Sequence, residues 1–316
     1  FDAARYKKSF AGNDPVHHDE AIISQYFDYQ FRPFEKLYST IGFRSDDHTT
    51  VGRKTSGRAT VAYQLDGNSK IRSSLGSGVR FPALYDYRFG STILTDQGST
   101  LEDLQSERGN SFDLGYDTYL DNLDLGLNIT YFNIVQKNSL EGGNENGWTQ
   151  RNGVGRNTSE GLEVGGNWKP ASKDYSLGFG YTFTDTYDGQ TCDAHHRDAW
   201  SDNECRLEGS AVSTAKVRVP RHALQARVNY SFSPKFKTSL KGKYRSETRD
   251  FGNANDSWTD AILTDYYTFD LNGSYKIFDG YDLNFGISNI LDEEYYQAYD
   301  YSAPGRAFTV KLKRAL

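Results

Sequence analysis

The most chemically distinctive stretch of the sequence is "TCDAHHRDAWSDNEC", where Cys192 and Cys205 bracket Asp193, His195, His196, Asp198, Asp202 and Glu204. Thiols, imidazoles and carboxylates at that density support two chemistries. Cys192 and Cys205 can close a loop disulfide, which needs an oxidising compartment. Alternatively, His195, His196, Asp193 and Asp198 can ligate zinc or copper, because imidazole with carboxylate or thiolate suits both metals. Adjacent histidines on an extended chain point in different directions, so His195 and His196 make a poor two-point clamp. A stapled surface loop with solvated charges is the simpler expectation, and a metal site is the sharper one. His17, His18 and His48 fall in segments expected at the same end of the molecule.

Two further groups suit recognition rather than catalysis. Arg80, Phe81, Tyr85, Tyr87, Arg88 and Phe89 share one short span, and Trp148 stands in the next long polar segment. Arginine and aromatic side chains combine large contact area with a polar handle, so these are the ligand-contact candidates. Lys237, Lys241, Lys243 and Arg245 alternate along a single run with Ser239 between them, and the same alternation puts Arg58, Arg72 and Arg227 on the matching face of their own runs. Such a basic wall guides an anionic ligand, or pairs with acidic groups packed against it. A serine–histidine hydrolase would need a histidine beside a serine, and nothing around His222 forms a recognisable triad. No enzyme activity and no cofactor are expected. A net charge of −6, with no dense basic patch among stacking aromatics, excludes a nucleic-acid partner.

The elements that must position these groups are strands. In "HALQARVNYSF", Leu224, Ala226, Val228, Tyr230 and Phe232 share one face, and Gln225, Arg227, Asn229 and Ser231 the other. Tyr267, Phe269, Leu271, Tyr275 and Ile277 repeat the pattern, as do the runs beginning at Leu123 and Tyr175. Counting such runs gives roughly thirteen strands of about ten residues, the length that crosses a bilayer when tilted. Short connections ("PFEK", "DGN", "DN", "PASKD", "SPK", "DG") alternate with long ones at 46–55, 80–108, 137–153, 189–219, 247–265 and 292–305. The 316 residues are 36% hydrophobic yet 15% aromatic, with 23 Tyr and 19 Phe, and the mean hydropathy is only −0.73. Apolar residues at every second position lower the mean without removing the lipid-facing surface. A soluble sandwich would instead bury its apolar faces against one another. The fold class expected is all-β: a transmembrane antiparallel up-and-down β-barrel. "FDAARYKKSF" has no apolar signal segment and no initial Met, as in a mature or truncated product.

The closing segment "GISNILDEEYYQAYDYSAPGRAFTVKLKRAL" resembles the C-terminus of TonB-dependent outer-membrane receptors, through Asn289, Leu291, Asp292, Tyr295, Tyr296, Pro304, Gly305 and Arg306. Upstream, "GSGVRFPALYD", "DLQSERGNSFDLGY", "NGVGRNTSEGLEV" and "VPRH" resemble further segments of that family, in the expected order. The spacing is most similar to vitamin B12 and siderophore receptors. The resemblance implies that residues 1–316 are the C-terminal portion of the receptor barrel, roughly the last thirteen or so of about 22 strands, with the plug domain and TonB box outside this chain. It implies uptake of a bulky scarce nutrient, a ferric siderophore or cobalamin, coupled to a TonB-type energy-transducing protein through the missing plug. Acidic residues of that plug are the second candidate partner for the basic wall. The implied setting is the bacterial outer membrane, in contact with its lipid, with long loops extracellular and short turns and the C-terminus periplasmic. Tyr295, Tyr296, Tyr299 and Tyr301 are then expected as girdle residues at the headgroups, or as ligand contacts. Two alternatives remain: a passive diffusion porin of about fourteen strands, and a receptor for a zinc or copper chelate.

Overall fold

Long alternating runs leave each segment with one apolar and one polar face, and such segments bury their backbone hydrogen bonds only by pairing side by side. In the computed structural model they do so in strict sequence order. It describes residues 2–8, 16–83, 105–143, 149–152, 156–170, 174–188, 216–254, 257–278 and 280–314. The strands are β1 (Asp2–Lys8), β2 (Val16–Phe34), β3 (Leu37–His48), β4 (Gly52–Gln64), β5 (Ser69–Arg80), β6 (Glu107–Leu120) and β7 (Leu125–Lys137). They continue as β8 (Leu140–Gly143), β9 (Thr149–Asn152), β10 (Arg156–Trp168), β11 (Tyr175–Asp188), β12 (His222–Ser233) and β13 (Phe236–Arg245). The last are β14 (Thr248–Ala254), β15 (Ser257–Leu263), β16 (Tyr266–Phe278), β17 (Tyr281–Ser288), β18 (Tyr296–Ala298), β19 (Tyr301–Ser302) and β20 (Ala307–Arg314).

Fourteen of these strands form one sheet in the order β1-β2-β3-β4-β5-β6-β7-β10-β11-β12-β13-β16-β17-β20. Every neighbouring pair is antiparallel, and β1 and β20 are the two ends of the order. The expected connections delimit thirteen strands; β1 is the addition, because "DAARYKK" carries too few apolar residues to show a period. Three separate hairpins, β8–β9, β14–β15 and β18–β19, lie within the long connections.

The short connections are held by local turn chemistry. Between β4 and β5, Asp66 Oδ1 accepts the amides of Asn68 (2.8 Å) and Ser69 (2.7 Å), an Asx-type turn. Those two donors stabilise the charged carboxylate, the Asn68 amide most strongly, and hold its pKa below the usual value. One expected long connection is absent. Strands β3 and β4 run to His48 and from Gly52, leaving three residues, 49–51, where the sequence predicts a loop over 46–55. The reason is local: His48 Nδ1 accepts the amides of Thr50 and Val51, both at 3.2 Å, and Gly52 closes the turn at φ +72°.

The two faces of the sheet differ as the alternation predicts. Outward positions carry Leu75, Ile129, Leu224, Val228, Phe232 and Tyr275, all exposed, with Leu75 at 59% and Phe232 at 60%. Among the described residues the buried hydrophobic side chains are only Leu263 and Tyr266. Water does not tolerate so much outward apolar surface with so little interior, and a lipid environment does. Among the described residues no helix is long and apolar enough to cross a membrane; the strands present the apolar band instead.

Candidate functional site: the inner wall and the base of the long connections

The register fixes which side chains share the inner face. Asn128, Gly165, Gly180, Gln225, Lys243 and Thr268 are successive cross-strand partners from β7 to β16. They line a depression of about 520 Å³ that also touches Glu163 and Arg245. Glycines keep the wall low here. A Cβ at Gly165 would lie 2.6 Å from Asn128 Oδ1, and one at Gly180 would lie 3.3 Å from Gln225 Nε2, so the two amides lie across the glycine backbone.

The inner wall has two electrostatic halves. On β3 to β5 the inner arginines Arg44, Arg58 and Arg72 are each matched by a wall carboxylate. Arg58 Nη2 donates to Asp28 at 2.6 Å, and Arg44 Nε to Asp46 at 2.8 Å. Arg72 bonds Asp117 at 3.1 Å and donates to Thr130 Oγ1 at 2.7 Å, with Asp113 at 3.9 Å. Its guanidinium lies flat over Gly115, where a Cβ would be 2.7 Å from Arg72 Cζ. On β12 and β13 the pattern changes. Arg227, Lys237, Lys241, Lys243 and Arg245 all occupy inner positions, and among the described residues none has a carboxylate within 4.0 Å. Asp270 stands opposite Lys241 in register, but its Oδ1 accepts the Asn289 amide at 3.0 Å.

Arg80 and Phe81 sit at the base of the connection that leaves β5. Arg80 ends that strand, and its Nη1 donates to Glu107 at 2.8 Å, across the register pair that joins β5 to β6. The Phe81 ring stacks on His48 at 4.7 Å and 16°. His48 is therefore a buried strand-end residue rather than a loop residue, with Glu20 Oε1 3.7 Å from its Nε2. Both of these ligand-contact candidates have intramolecular partners. Tyr85, Tyr87, Arg88 and Trp148 lie outside the described residues, as do Cys192, Cys205, His195, His196, Asp193 and Asp198. Among the described residues no three His, Cys, Asp or Glu side chains gather around a potential metal position. His222 hydrogen-bonds Tyr181 through Nδ1 at 2.9 Å and packs against Phe183, so its imidazole faces a phenol rather than a serine hydroxyl.

The closing segment holds three left-handed residues, Asn289, Asp292 and Asp300, and the first two tie it together. Asn289 (φ 48°) donates from Nδ2 to the Glu293 carbonyl at 2.8 Å and accepts the Glu293 amide at 2.9 Å. Asp292 (φ 59°) accepts the Arg306 amide at 2.7 Å. Asn and Asp tolerate that backbone and bond it locally, which explains their places in "NILD". Tyr295 turns onto the inner wall and stacks on Tyr266 at 4.2 Å, so it is not a headgroup girdle residue. Burial, then the neighbouring Tyr266 and Asp270, raises its phenol pKa. The sequence pattern gives no sign of the His48–Phe81 stack. The partners are far apart along the chain and belong to no motif.

Solved structures share this architecture. The chain superposes with a TM-score of 0.76 on the siderophore receptor PirA from Acinetobacter baumannii, at 16% identity, covering 96% of this chain and 47% of that one. The ferric enterobactin receptor PfeA from Pseudomonas aeruginosa, in complex with enterobactin, gives 0.75 at 17% identity, covering 97% and 47%. The copper transporter OprC gives 0.71 at 14% identity, covering 94% and 48%. The chain thus spans about half the length of the structures it matches. At these identities the likeness is one of fold. No curated protein sequence matches the chain. The sequence itself fits the family description "TonB dependent receptor-like, beta-barrel" over residues 3–290. With the sheet order, the outward apolar face and the polar inner wall, that match shows that the chain belongs to the TonB-dependent receptor-like β-barrel family.

Proposed function

We propose that this chain is the C-terminal portion of an outer-membrane receptor barrel that imports a bulky scarce nutrient, a ferric siderophore or a cobalamin, under drive from a TonB-type protein. Family membership supports the receptor reading, and the two structures first compared are, by description, a siderophore receptor and a ferric enterobactin receptor. In this reading the long connections face the outside, and the short turns and C-terminus face the periplasm. The plug and TonB box belong to the remainder of the protein, which completes a cylinder of about 22 strands. The inner wall of β12 and β13 is the face along which the cargo passes. One observation carries the assignment of that face. Among the described residues five inner cations lack a wall carboxylate, while the arginines Arg44, Arg58 and Arg72 of β3 to β5 have one. Acidic residues of the plug are the other partner this strip suits.

The porin alternative has the register against it. A closed barrel of fourteen strands needs β1 bonded to β20, and these are the two ends of the sheet order. The chelate reading for zinc or copper rests on His195 and His196 and is tested there: uptake unchanged in the double alanine variant removes it. The main test is uptake by starved cells that lack other receptors. Cells carrying the full-length protein should accumulate labelled ferric chelate or cobalamin only while the inner membrane is energised. Uptake that persists after the proton gradient is collapsed would refute energy coupling.

A further inference from the structure

Three basic residues stand side by side on the outward face of the sheet. Arg108 of β6 is the register partner of Lys137 of β7, and Lys137 is also the register partner of Arg156 of β10. All three are exposed. They share the outward parity of Leu114 and Tyr116 on β6, Ile129 and Tyr131 on β7, and Leu162 and Val164 on β10. Among the described residues none of the three has a carboxylate within 4.0 Å. Like charges placed directly opposite on neighbouring strands destabilise a sheet, and this row does so twice over, so it suits a bound anion.

Height along the sheet identifies that anion. Strand β7 has thirteen residues, and at about 3.3 Å per residue with a tilt of about 40° it rises about 30 Å. At its lower end Leu125 pairs with Trp168, whose indole donates to the Leu123 carbonyl at 2.8 Å and packs edge-on against Tyr175. Tryptophan and tyrosine in that arrangement mark a membrane–water interface. The cation row lies one hydrocarbon thickness away, at the other interface, where lipid phosphates lie. Two outward carboxylates bound the site on its deeper side. Glu160, four residues along β10 from Arg156, accepts from Tyr131 Oη (3.1 Å) and Asn133 Nδ2 (3.2 Å). It faces Asp185 in register, and Asp185 pairs with Arg221 at 3.4 Å.

We infer that Arg108, Lys137 and Arg156 form a binding site for the phosphate groups of a phosphorylated glycolipid in the outer leaflet. A phosphate offers three acceptor oxygens to three adjacent donors and turns their mutual repulsion into charge-assisted hydrogen bonds. The choice of leaflet rests on the orientation proposed above. The site lies outside the barrel and is independent of the cargo wall.

The test is native mass spectrometry of the full-length protein in detergent, with three probes: a bisphosphorylated lipid A, its dephosphorylated form, and inorganic phosphate. The protein should retain the bisphosphorylated lipid about ten-fold more than the dephosphorylated one, and R108Q/K137Q/R156Q should lose that preference. K137R should keep it, and heat-modified gel mobility should show all variants folded. Equal retention by the triple variant, or of the dephosphorylated lipid, overturns the site. Displacement of the lipid by millimolar inorganic phosphate overturns the lipid assignment in favour of a free anion. A dimer of the protein that the triple variant abolishes overturns it in favour of self-association. Orientation is read separately. Glu247→Cys, with Cys192 and Cys205 changed to Ser, should react with an impermeant maleimide on intact cells. No reaction overturns the orientation and the leaflet with it, whereas reaction together with equal lipid retention overturns the phosphate site alone.

Discussion

Asp250 has no exposed surface, and Arg218 Nε lies 2.9 Å from both of its carboxylate oxygens. The same carboxylate accepts the Tyr299 amide at 2.6 Å, and the Arg218 amide donates to the Arg249 carbonyl at 2.8 Å. One acidic side chain on β14 therefore joins the segment before β12 to the closing connection. Its hydrogen bond to Arg218 raises the guanidinium pKa above the ordinary value, against the opposing effect of burial.

Asp250→Ala should loosen all three segments at once. The expected loss is about 1–3 kcal/mol, the cost of removing a buried hydrogen-bonding partner. Limited proteolysis should cut faster near Arg218 and near Tyr299 together. Faster cutting in the β14–β15 hairpin alone would mean that Asp250 does not couple the connections.

The stack of Phe81 on His48 makes a second expectation. Phe81→Ala should cost about 0.5–1.5 kcal/mol and speed amide exchange at Thr50 and Val51, whose N–H groups His48 accepts. Phe81→Tyr should leave exchange unchanged. If the alanine variant binds ligand less well with normal exchange at both amides, Phe81 is a ligand contact rather than a packing residue.

Gly161 lies under the Phe132 ring and against the Phe183 carbonyl, and an added Cβ would overlap both. Gly161→Val should therefore prevent β10 from pairing with β11 and block barrel assembly. Heat-modified gel mobility reads the outcome directly. Gly52→Ala, in a turn with open space, should assemble and be only mildly strained by its positive φ.

The two halves of the inner wall should respond differently to charge removal. Changing Arg227, Lys241 and Lys243 to Gln should lower apparent affinity for an anionic chelate by about ten-fold, with a weaker salt dependence. Arg58→Gln, which frees Asp28 from its ion pair, should affect stability more than uptake. Equal effects on a neutral and an anionic cargo would point to plug docking rather than cargo guidance.

Acid should open the β4–β5 turn late. The native pKa of Asp66 is depressed below 3.8 by the Asn68 and Ser69 amides, so the unfolded chain binds the proton first as pH falls. The turn's contribution is complete above the unfolded value and is lost as pH falls through the lower native one. Amide exchange at Ser69 across that window should report it, and Asp66→Ala should remove the pH dependence.

Much of the architecture is readable from period-two alternation. Leu224 to Phe232 must share a face because side chains on a strand alternate, and the short polar turns and long polar connections order the strands without any tertiary information. The same parity put Lys237 to Arg245 on the inner wall before any pairing was known. Alternation was silent on β1, where apolar residues are too few, and it misplaced the turn at residues 49–51, where a histidine ring does what a loop was expected to do.

The sequence alone determined the all-β class, the strand faces and the family resemblance, because these depend on local periodicity and short motifs. The tertiary structure decided which charges cancel. Arg72 meets Asp117 forty-five positions away, while Lys241 faces an Asp270 whose Oδ1 accepts the Asn289 amide. Arg108, Lys137 and Arg156 become one row only through two register pairings. Electrostatic interactions fall off with distance in space, and only strand register sets that distance.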